Sequence, residues 1–351
     1  MRIMHLLKHS VNGNGGVHVA VDLACAQAEA GHDVVLASAG GPYDDLLAAH
    51  GVRVEFLPRA EGAADTLRGG RLLLAAAQRF RPDVLHAHMM SSAVLGFGVS
   101  KIVRAPMVTT VHNSFDRHSV LMRLGRRVVA VSDAERELLI SKGFRPAKVV
   151  TVLNGPDGSP REAMAGEDLG PLHTPAVMTL SGLHPRKAVG DVITAFARVL
   201  PEFPDWHLNI VGWGPQRDEL MAQVDAEELG GSVHFLGSTL TPRPLLEQAE
   251  IFATGTLADP CPLTVGEARG AGCAIVATAV GGIPELLEGG RAGLLVPPQD
   301  PAAMAAAFRE LMDDDAVRKD WRDRSLDGAE YFTVARASAD YLRVYESVVR
   351  R

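Results

Sequence analysis

The chain is poor in cysteine and has no long apolar run. Cys25, Cys261 and Cys273 are its three cysteines. The number is odd and no CxxC or CxxH spacing occurs, so neither a disulfide framework nor a zinc site is indicated. No stretch approaches the roughly 18 apolar residues that a membrane helix needs. The opening Met-Arg-Ile-Met-His-Leu-Leu-Lys is too short and too interrupted for a signal peptide. There are no low-complexity tracts and no short-period solenoid repeat. These absences point to the cytoplasm.

What is present is ordinary for a globular protein with a full core. The 351 residues are 47% hydrophobic and 22% charged, enough for two domains of about 150–200 residues each. Net charge is −7 but uneven, because residues 1–160 carry +4 and the remainder −11. No nucleic-acid partner is expected. The basic first half suggests an anionic partner, such as a membrane surface or an acidic acceptor. Arg123, Arg126 and Arg127 cluster there, as do Arg68, Arg71, Arg79 and Arg81. Helical spacing makes a plain solvated face the simpler reading of both groups.

Arg2–Lys8 reads as a strand, followed by a glycine turn, Asn12-Gly-Asn-Gly-Gly16, then a helix with Val17, Val21, Ala24 and Ala28 on one face. Gly31 stops it and Asp33–Ser38 is the next strand. This βαβ unit opens a parallel sheet of nucleotide-binding type. Further strands are Asp83–His88, Met107–His112, Val128–Val131 and Lys148–Leu153. Several end in polar residues, and ligands in such sheets gather outside the carboxyl ends of strands. His86, His88 and His112 are therefore singled out. His86 and His88 share one face of a strand, but no third metal ligand is evident. Residues 155–175 are rich in Gly, Pro, Asp, Ser and Glu and form the linker. The pattern restarts with strands at Val177–Leu180, His207–Val211, Val233–Leu236, Ile251–Thr254, Ala274–Thr278 and Ala292–Val296. Helices from Pro301 to Met312 and from about Val334 onward close the chain. Two Rossmann-like halves joined by one linker make a cleft, a preferred place for ligands.

The second half is organised around Asp259-Pro-Cys-Pro-Leu-Thr-Val-Gly-Glu267. Proline fixes φ and has no N–H, so a helix begins near Pro262. Glu267 then lies one turn in, on the face of Leu263, with Asp259 in the loop ahead. A helix start offers unpaired backbone N–H groups and a positive dipole end, which suit an anion. The two acids flanking it would hold hydroxyls around a bound phosphate. A capped helix start stabilised by the dipole would need no ligand.

Taken together, the chain resembles, over almost its full length, a retaining glycosyltransferase of family 4. Asp259-x7-Glu267-Ala stands where that family has Glu-x7-Glu. Gly15-Gly16-Val17, Gly31-His32, Pro82-Asp-Val-Leu-His-Ala-His88, Thr110-Val-His112, Val131-Ser132 and Asn154-Gly155 also fit. So do Leu183-His-Pro-Arg-Lys187, Phe235-Leu-Gly237 and Gly281-Gly-Ile-Pro-Glu285. Each is weak alone, but their number and order make the signal strong.

The resemblance implies the GT-B architecture, an α/β fold with two Rossmann-like parallel-sheet domains facing across a cleft. It places an acceptor domain at residues 1–160, a nucleotide-sugar donor domain at 161–330, and a helix at 331–351 crossing back to the first domain. By position, Glu267 would hold the ribose hydroxyls and Asp259 would approach the donor sugar. Backbone groups around Cys261, Pro262, Leu263 and Thr264 would face the sugar and diphosphate. Lys187 would neutralise the leaving diphosphate. Gly15 and Gly16, with Gly182 and Gly214, would line the bound donor. His112 would stand beside the reacting sugar and Leu236 would meet the nucleobase. The family arginine before the lysine is missing, since Ser181 and Gly182 stand there, so Arg186 or His184 would supply a second cation. Asp259 is one methylene shorter than the family Glu. Arg269 stands where a buried Met is expected.

The expected activity is hexosyl transfer with retention from a nucleotide diphosphate sugar, UDP favoured over GDP. The acceptor would be a polysaccharide, a glycolipid or a small-molecule secondary metabolite. No cofactor and no divalent metal are required, because no DxD sequence lies in a suitable loop and Asp313-Asp-Asp315 reads as solvated surface. The expected location is cytoplasmic, with peripheral association at the inner membrane face. A sugar-nucleotide epimerase or hydrolase of the same fold is one alternative. A non-catalytic partner of a glycosyltransferase is the other.

Overall fold

A computed structural model describes residues 1–11, 13–59, 62–164 and 166–349, and the backbone alone of residue 63. Asn12, at the start of the expected glycine turn, and the last two residues of the chain lie outside the described set. The chain forms two compact units, residues 1–161 together with Thr333 onward (unit 1), and Glu162–Phe332 (unit 2).

Unit 1 is built on seven strands, β1 (Arg2–Leu6), β2 (Asp33–Ser38), β3 (Arg53–Phe56), β4 (Val84–Ala87), β5 (Met107–Val111), β6 (Arg127–Ala130) and β7 (Val149–Thr151). They lie in the order β3-β2-β1-β4-β5-β6-β7, every pair parallel. Unit 2 carries β8 (Ala176–Leu180), β9 (His207–Val211), β10 (Val233–Gly237), β11 (Ile251–Thr254), β12 (Ala274–Thr278) and β13 (Leu294–Val296). Their order is β10-β9-β8-β11-β12-β13, again all parallel. A parallel sheet is covered by helices on both faces, so its strands are apolar throughout. All five residues of β5 and of β12 are buried. The cores form on these faces, around Met4, Leu6, Leu85 and Met107 in unit 1 and Phe196, Ile210, Ile251 and Phe308 in unit 2. Each such side chain contributes roughly 1.5–3 kcal/mol when fully buried.

Strand order reverses at β1/β4 in unit 1 and at β8/β11 in unit 2. Loops at such switch points diverge and leave a crevice at the strand carboxyl ends.

Several boundaries differ from expectation. Gly15 and Gly16 belong to the first turn of helix Gly15–Glu29, and the Asn14 side chain caps it by accepting from Gly16 N at 3.0 Å. β4 and β5 stop one residue early, so His88 and His112 are the first residues beyond them. Pro262 is the N-cap of helix Leu263–Gly270 rather than its first residue. Helices Ala63–Phe80, Met90–Val103 and Asp315–Leu326 fill spans the sequence leaves unassigned.

The terminal helix Val334–Val349 buries Ala337, Tyr341, Tyr345 and Val348 within unit 1. Where the chain leaves unit 1, Arg161 makes a two-point pair with buried Asp22 at 2.9 and 3.0 Å. Where it returns, Thr333 bridges Asp157, and Val334 N donates to Asp157 O at 2.9 Å. No described helix is long and apolar enough to cross a membrane.

Candidate active site

In unit 2 Arg186, Lys187 and Asp259 converge at the switch point. β8 ends at Leu180 and runs into the short turn Pro185–Lys187, while β11 ends at Thr254 and leads to Asp259. The backbone stitches these loops together, with Leu257 N donating to Arg186 O at 2.8 Å and Thr256 Oγ1 to the same oxygen at 3.2 Å. Lys187 Nζ thereby meets Asp259 Oδ2 at 2.6 Å, the side chains 17% and 12% exposed. Arg186 donates to Ala258 O and stands 3.6 Å from the same carboxylate. Two cations and one carboxylate form a cluster with net positive charge, suited to a diphosphate. Of the two residues weighed for the missing cation, Arg186 is in this cluster. His184 instead lies over Gly182, where a Cβ would fall 3.0 Å from its ring.

The loop after β12 closes the other side. Gly282 N donates to Asp259 O at 3.1 Å. Gly281 has φ +54, and a Cβ there would fall 1.9 Å from Asp259 O. Only glycine allows this approach. Helix Leu263–Gly270 starts just beyond, with Pro262 buried and Leu263 and Thr264 half-buried on its first turn. Cys261 is buried. Glu267 stands on the second turn, half-buried. Gly182 and Gly214 flank a backbone contact, Leu183 N to Trp213 O at 3.0 Å. Leu236, half-buried near the end of edge strand β10, is brought to this end of the sheet where Gly212 N donates to Gly237 O at 2.6 Å.

In unit 1, Gly16 packs against His112. A Cβ on Gly16 would fall 2.9 Å from the imidazole ring, so only a bare backbone lets the helix start close on His112. His112 Nε2 lies 3.1 Å from His88 Nδ1. Burial pushes the His112 pKa down to about 4, which keeps the ring neutral.

The sequence reading is corrected on the histidines. His86 and His88 do have a third neighbour, because β1 lies beside β4 and brings in His5. All three are buried, with ring nitrogens within 4.8 Å of one another. Every ring nitrogen is already engaged, however. His5 bonds Gln27 and His88, His86 bonds Thr110 and Tyr345, and His88 bonds His5 and His112. A cation would have to break this network.

Arg269 is the other residue the sequence does not explain. Its side chain is 0% exposed. The guanidinium donates to Ser325 O at 2.9 Å, Leu286 O at 2.7 Å, Asp327 O and Glu288 Oε1 at 2.9 Å, and lies over the Phe332 ring. It ties the helix carrying Glu267 to the last segments of unit 2. Its hydrogen-bond partners lie 17 to 58 residues away, beyond the reach of any local signal.

Two doubly-wound parallel sheets, one in each unit, give the chain the α/β GT-B architecture. Residues 13–158 match the family described as Glycosyltransferase Family 4, and residues 174–314 match Glycosyl transferases group 1. Glycogen synthase of Mycobacterium tuberculosis is 31% identical, over 94% of this chain and 90% of that enzyme. Phosphatidyl-myo-inositol mannosyltransferase of Mycolicibacterium smegmatis is 28% identical, over 99% and 94%. Among solved structures, Anabaena HepE in complex with UDP has a TM-score of 0.84 at 22% identity, covering 99% of this chain and all of that one. The chain belongs to glycosyltransferase family 4.

Proposed function

We propose that the chain transfers a hexosyl group, with retention of anomeric configuration, from a UDP-sugar. The observation that carries this reading is the Arg186–Lys187–Asp259 cluster at the β8/β11 switch point, beside the helix of Glu267. Breaking the sugar–phosphate bond develops negative charge on the diphosphate and positive charge on the sugar ring. Fixed cations and helix-start N–H groups stabilise the first. Lys187 and Arg186 neutralise the leaving diphosphate without a divalent metal, and Lys187 is held in place by Asp259. Glu267 takes the ribose hydroxyls and Leu236 the nucleobase edge. The leaving phosphate accepts the proton of the incoming hydroxyl, so no side chain is needed as nucleophile. Gly15 and Gly16 offer backbone to the phosphates, and His112 takes a hydroxyl of the transferred sugar.

The UDP complex of HepE supports uridine over guanosine. Relatives named for glycogen and for phosphatidyl-inositol support a polysaccharide or glycolipid acceptor. The proposed location is cytoplasmic, with peripheral contact to an anionic membrane face. Arg68, Arg71 and Arg81, exposed on or beside helix Ala63–Phe80, support that contact.

Calorimetric titration with UDP, GDP, ADP and dTDP tests the donor site. UDP should bind selectively, and Glu267→Ala should weaken it by roughly 1–3 kcal/mol, the scale of charge-assisted hydrogen bonds. Unchanged affinity in the variant would remove Glu267 from the site, and an inverted product by NMR would refute retention.

A further inference from the structure

Transfer as proposed uses one histidine of unit 1, yet four are joined in a single hydrogen-bonded chain. Gln27 Oε1 lies 2.9 Å from His5 Nε2, His5 Nδ1 2.9 Å from His88 Nε2, and His88 Nδ1 3.1 Å from His112 Nε2. Gln27, His5 and His88 are buried. On its other side the Gln27 amide nitrogen donates to the Tyr345 hydroxyl at 3.5 Å. The Tyr345 hydroxyl is 2.7 Å from His86 Nδ1, His86 Nε2 is 2.7 Å from Thr110 Oγ1, and Thr110 Oγ1 donates to the Tyr341 hydroxyl at 3.2 Å.

The direction of every bond follows from Gln27. Burial keeps the imidazoles neutral, with His5 and His112 lowered to about 4 and His86 and His88 well below the usual histidine range. A neutral imidazole has one N–H and one lone pair. The Gln27 carbonyl oxygen only accepts, so His5 carries its proton on Nε2 and offers Nδ1. His88 must then donate from Nε2, which leaves its Nδ1 to accept from His112 Nε2–H. The second arm orders the same way, because Tyr345 receives from the amide and gives its own proton to His86 Nδ1, and His86 Nε2–H donates to Thr110. Turning the amide by half a rotation would reverse both arms and put the His112 proton on Nδ1. Gln27 therefore decides whether the outer nitrogen of His112 accepts or donates.

We propose that Gln27 is a positioning residue for sugar transfer. Through His5 and His88 it holds His112 as the Nε2–H tautomer, leaving the Nδ1 lone pair to accept a hydrogen bond from a sugar hydroxyl. The inference rests on the role proposed for His112. A hydroxyl that donates to Nδ1 is distinguished from a group that can only accept, such as a carbonyl or ether oxygen, so the chain sets part of the specificity of unit 1.

The test is long-range ¹⁵N–¹H correlation NMR of the full-length, histidine-labelled protein, which reads which nitrogen of each ring carries the proton. Between about pH 6 and 8, His5, His88 and His112 should all be Nε2–H tautomers. Gln27→Met, close in shape but without the acceptor, should turn His112 into a tautomer mixture and lower kcat about tenfold, the scale of one hydrogen bond. Its affinity for UDP should stay unchanged. Tyr345→Phe, which leaves the His5 arm intact, should keep His112 as it is while altering His86. An Nδ1–H tautomer at His112 in the unaltered protein would overturn the proposal, with no variant needed. So would a Gln27→Met protein whose His112 tautomer does not change. Loss of the transferase reading itself would show separately, as no UDP binding in the unaltered protein.

Discussion

Replacing Arg269 by Met should destabilise unit 2, although Met is the residue the family pattern leads one to expect there. The side chain is fully buried and gives hydrogen bonds to the Leu286, Ser325 and Asp327 carbonyls as well as to Glu288. Glu288 keeps a partner in the variant, because Arg291 also pairs with it. The cost therefore falls on three carbonyls stripped of their donor, at about 1–3 kcal/mol each for the buried Leu286 and Ser325 oxygens and less for that of Asp327, whose bond is only part-buried. Burying the Met side chain returns roughly 1.5–3 kcal/mol. The net loss is about 3 kcal/mol, within the range for cutting a buried polar network. For a domain of this size that lowers Tm by roughly 6–12 °C. The chain provides its own probe, since its three tryptophans, Trp206, Trp213 and Trp321, all lie in unit 2. Urea unfolding followed by tryptophan fluorescence should show the midpoint falling with the slope unchanged. A loss under about 1 kcal/mol, or a gain, would show that the network is not worth its desolvation and would refute the reasoning.

Two further outcomes follow from the sites. Lys187→Ala should weaken UDP by about 1.5–3 kcal/mol, the scale of a hydrogen bond to a charged group, while uridine binding barely changes. Equal losses for nucleotide and nucleoside in calorimetry would place Lys187 away from the phosphates. Unit 1 should lose stability in mild acid. Burial lowers His5 to about 4, against which its bond to Gln27 is the smaller effect. The unfolded chain therefore binds more protons once pH drops below about 6.5, and the stabilisation, complete above that value, declines as pH falls toward 4. At pH 5 His5 alone accounts for roughly 2 kcal/mol, and amide hydrogen exchange in β1 and β4 should quicken accordingly. Exchange rates corrected for pH that stay flat from 7 to 5 would contradict a neutral histidine core.

The two sheets were legible because parallel strands buried on both faces announce themselves as short apolar runs between glycine and polar turns. Asp259 and Glu267 stood out because a loop–helix junction carries its chemistry within a few residues, whereas Lys187 was picked out only through the family resemblance. His5 was not, since Arg-Ile-Met-His-Leu reads as one more strand and its neighbours come from β4, about 80 residues on. Gln27 sits among alanines and a glutamate on a helix and looks solvent-facing, yet it is 0% exposed. Arg269 breaks the local rule for a buried position, and the carbonyls that satisfy it are set by tertiary packing. In each case the missing information was who stands opposite, which sheet order and helix packing decide.

The side-by-side exit and return of the chain at Asp157 and Thr333 governs the order in which the protein can be made. Unit 2 is continuous in sequence, whereas unit 1 needs the terminal helix, whose Tyr345 and Tyr341 close its histidine core. At about 5–20 residues per second, unit 1 waits on the ribosome for roughly 10–40 s after its last strand has emerged. The unit begun first is thus finished last. A chain stopped at Phe332 should show a cooperative tryptophan transition but an unprotected unit 1, and full amide protection of β1 and β4 in that fragment would disprove it.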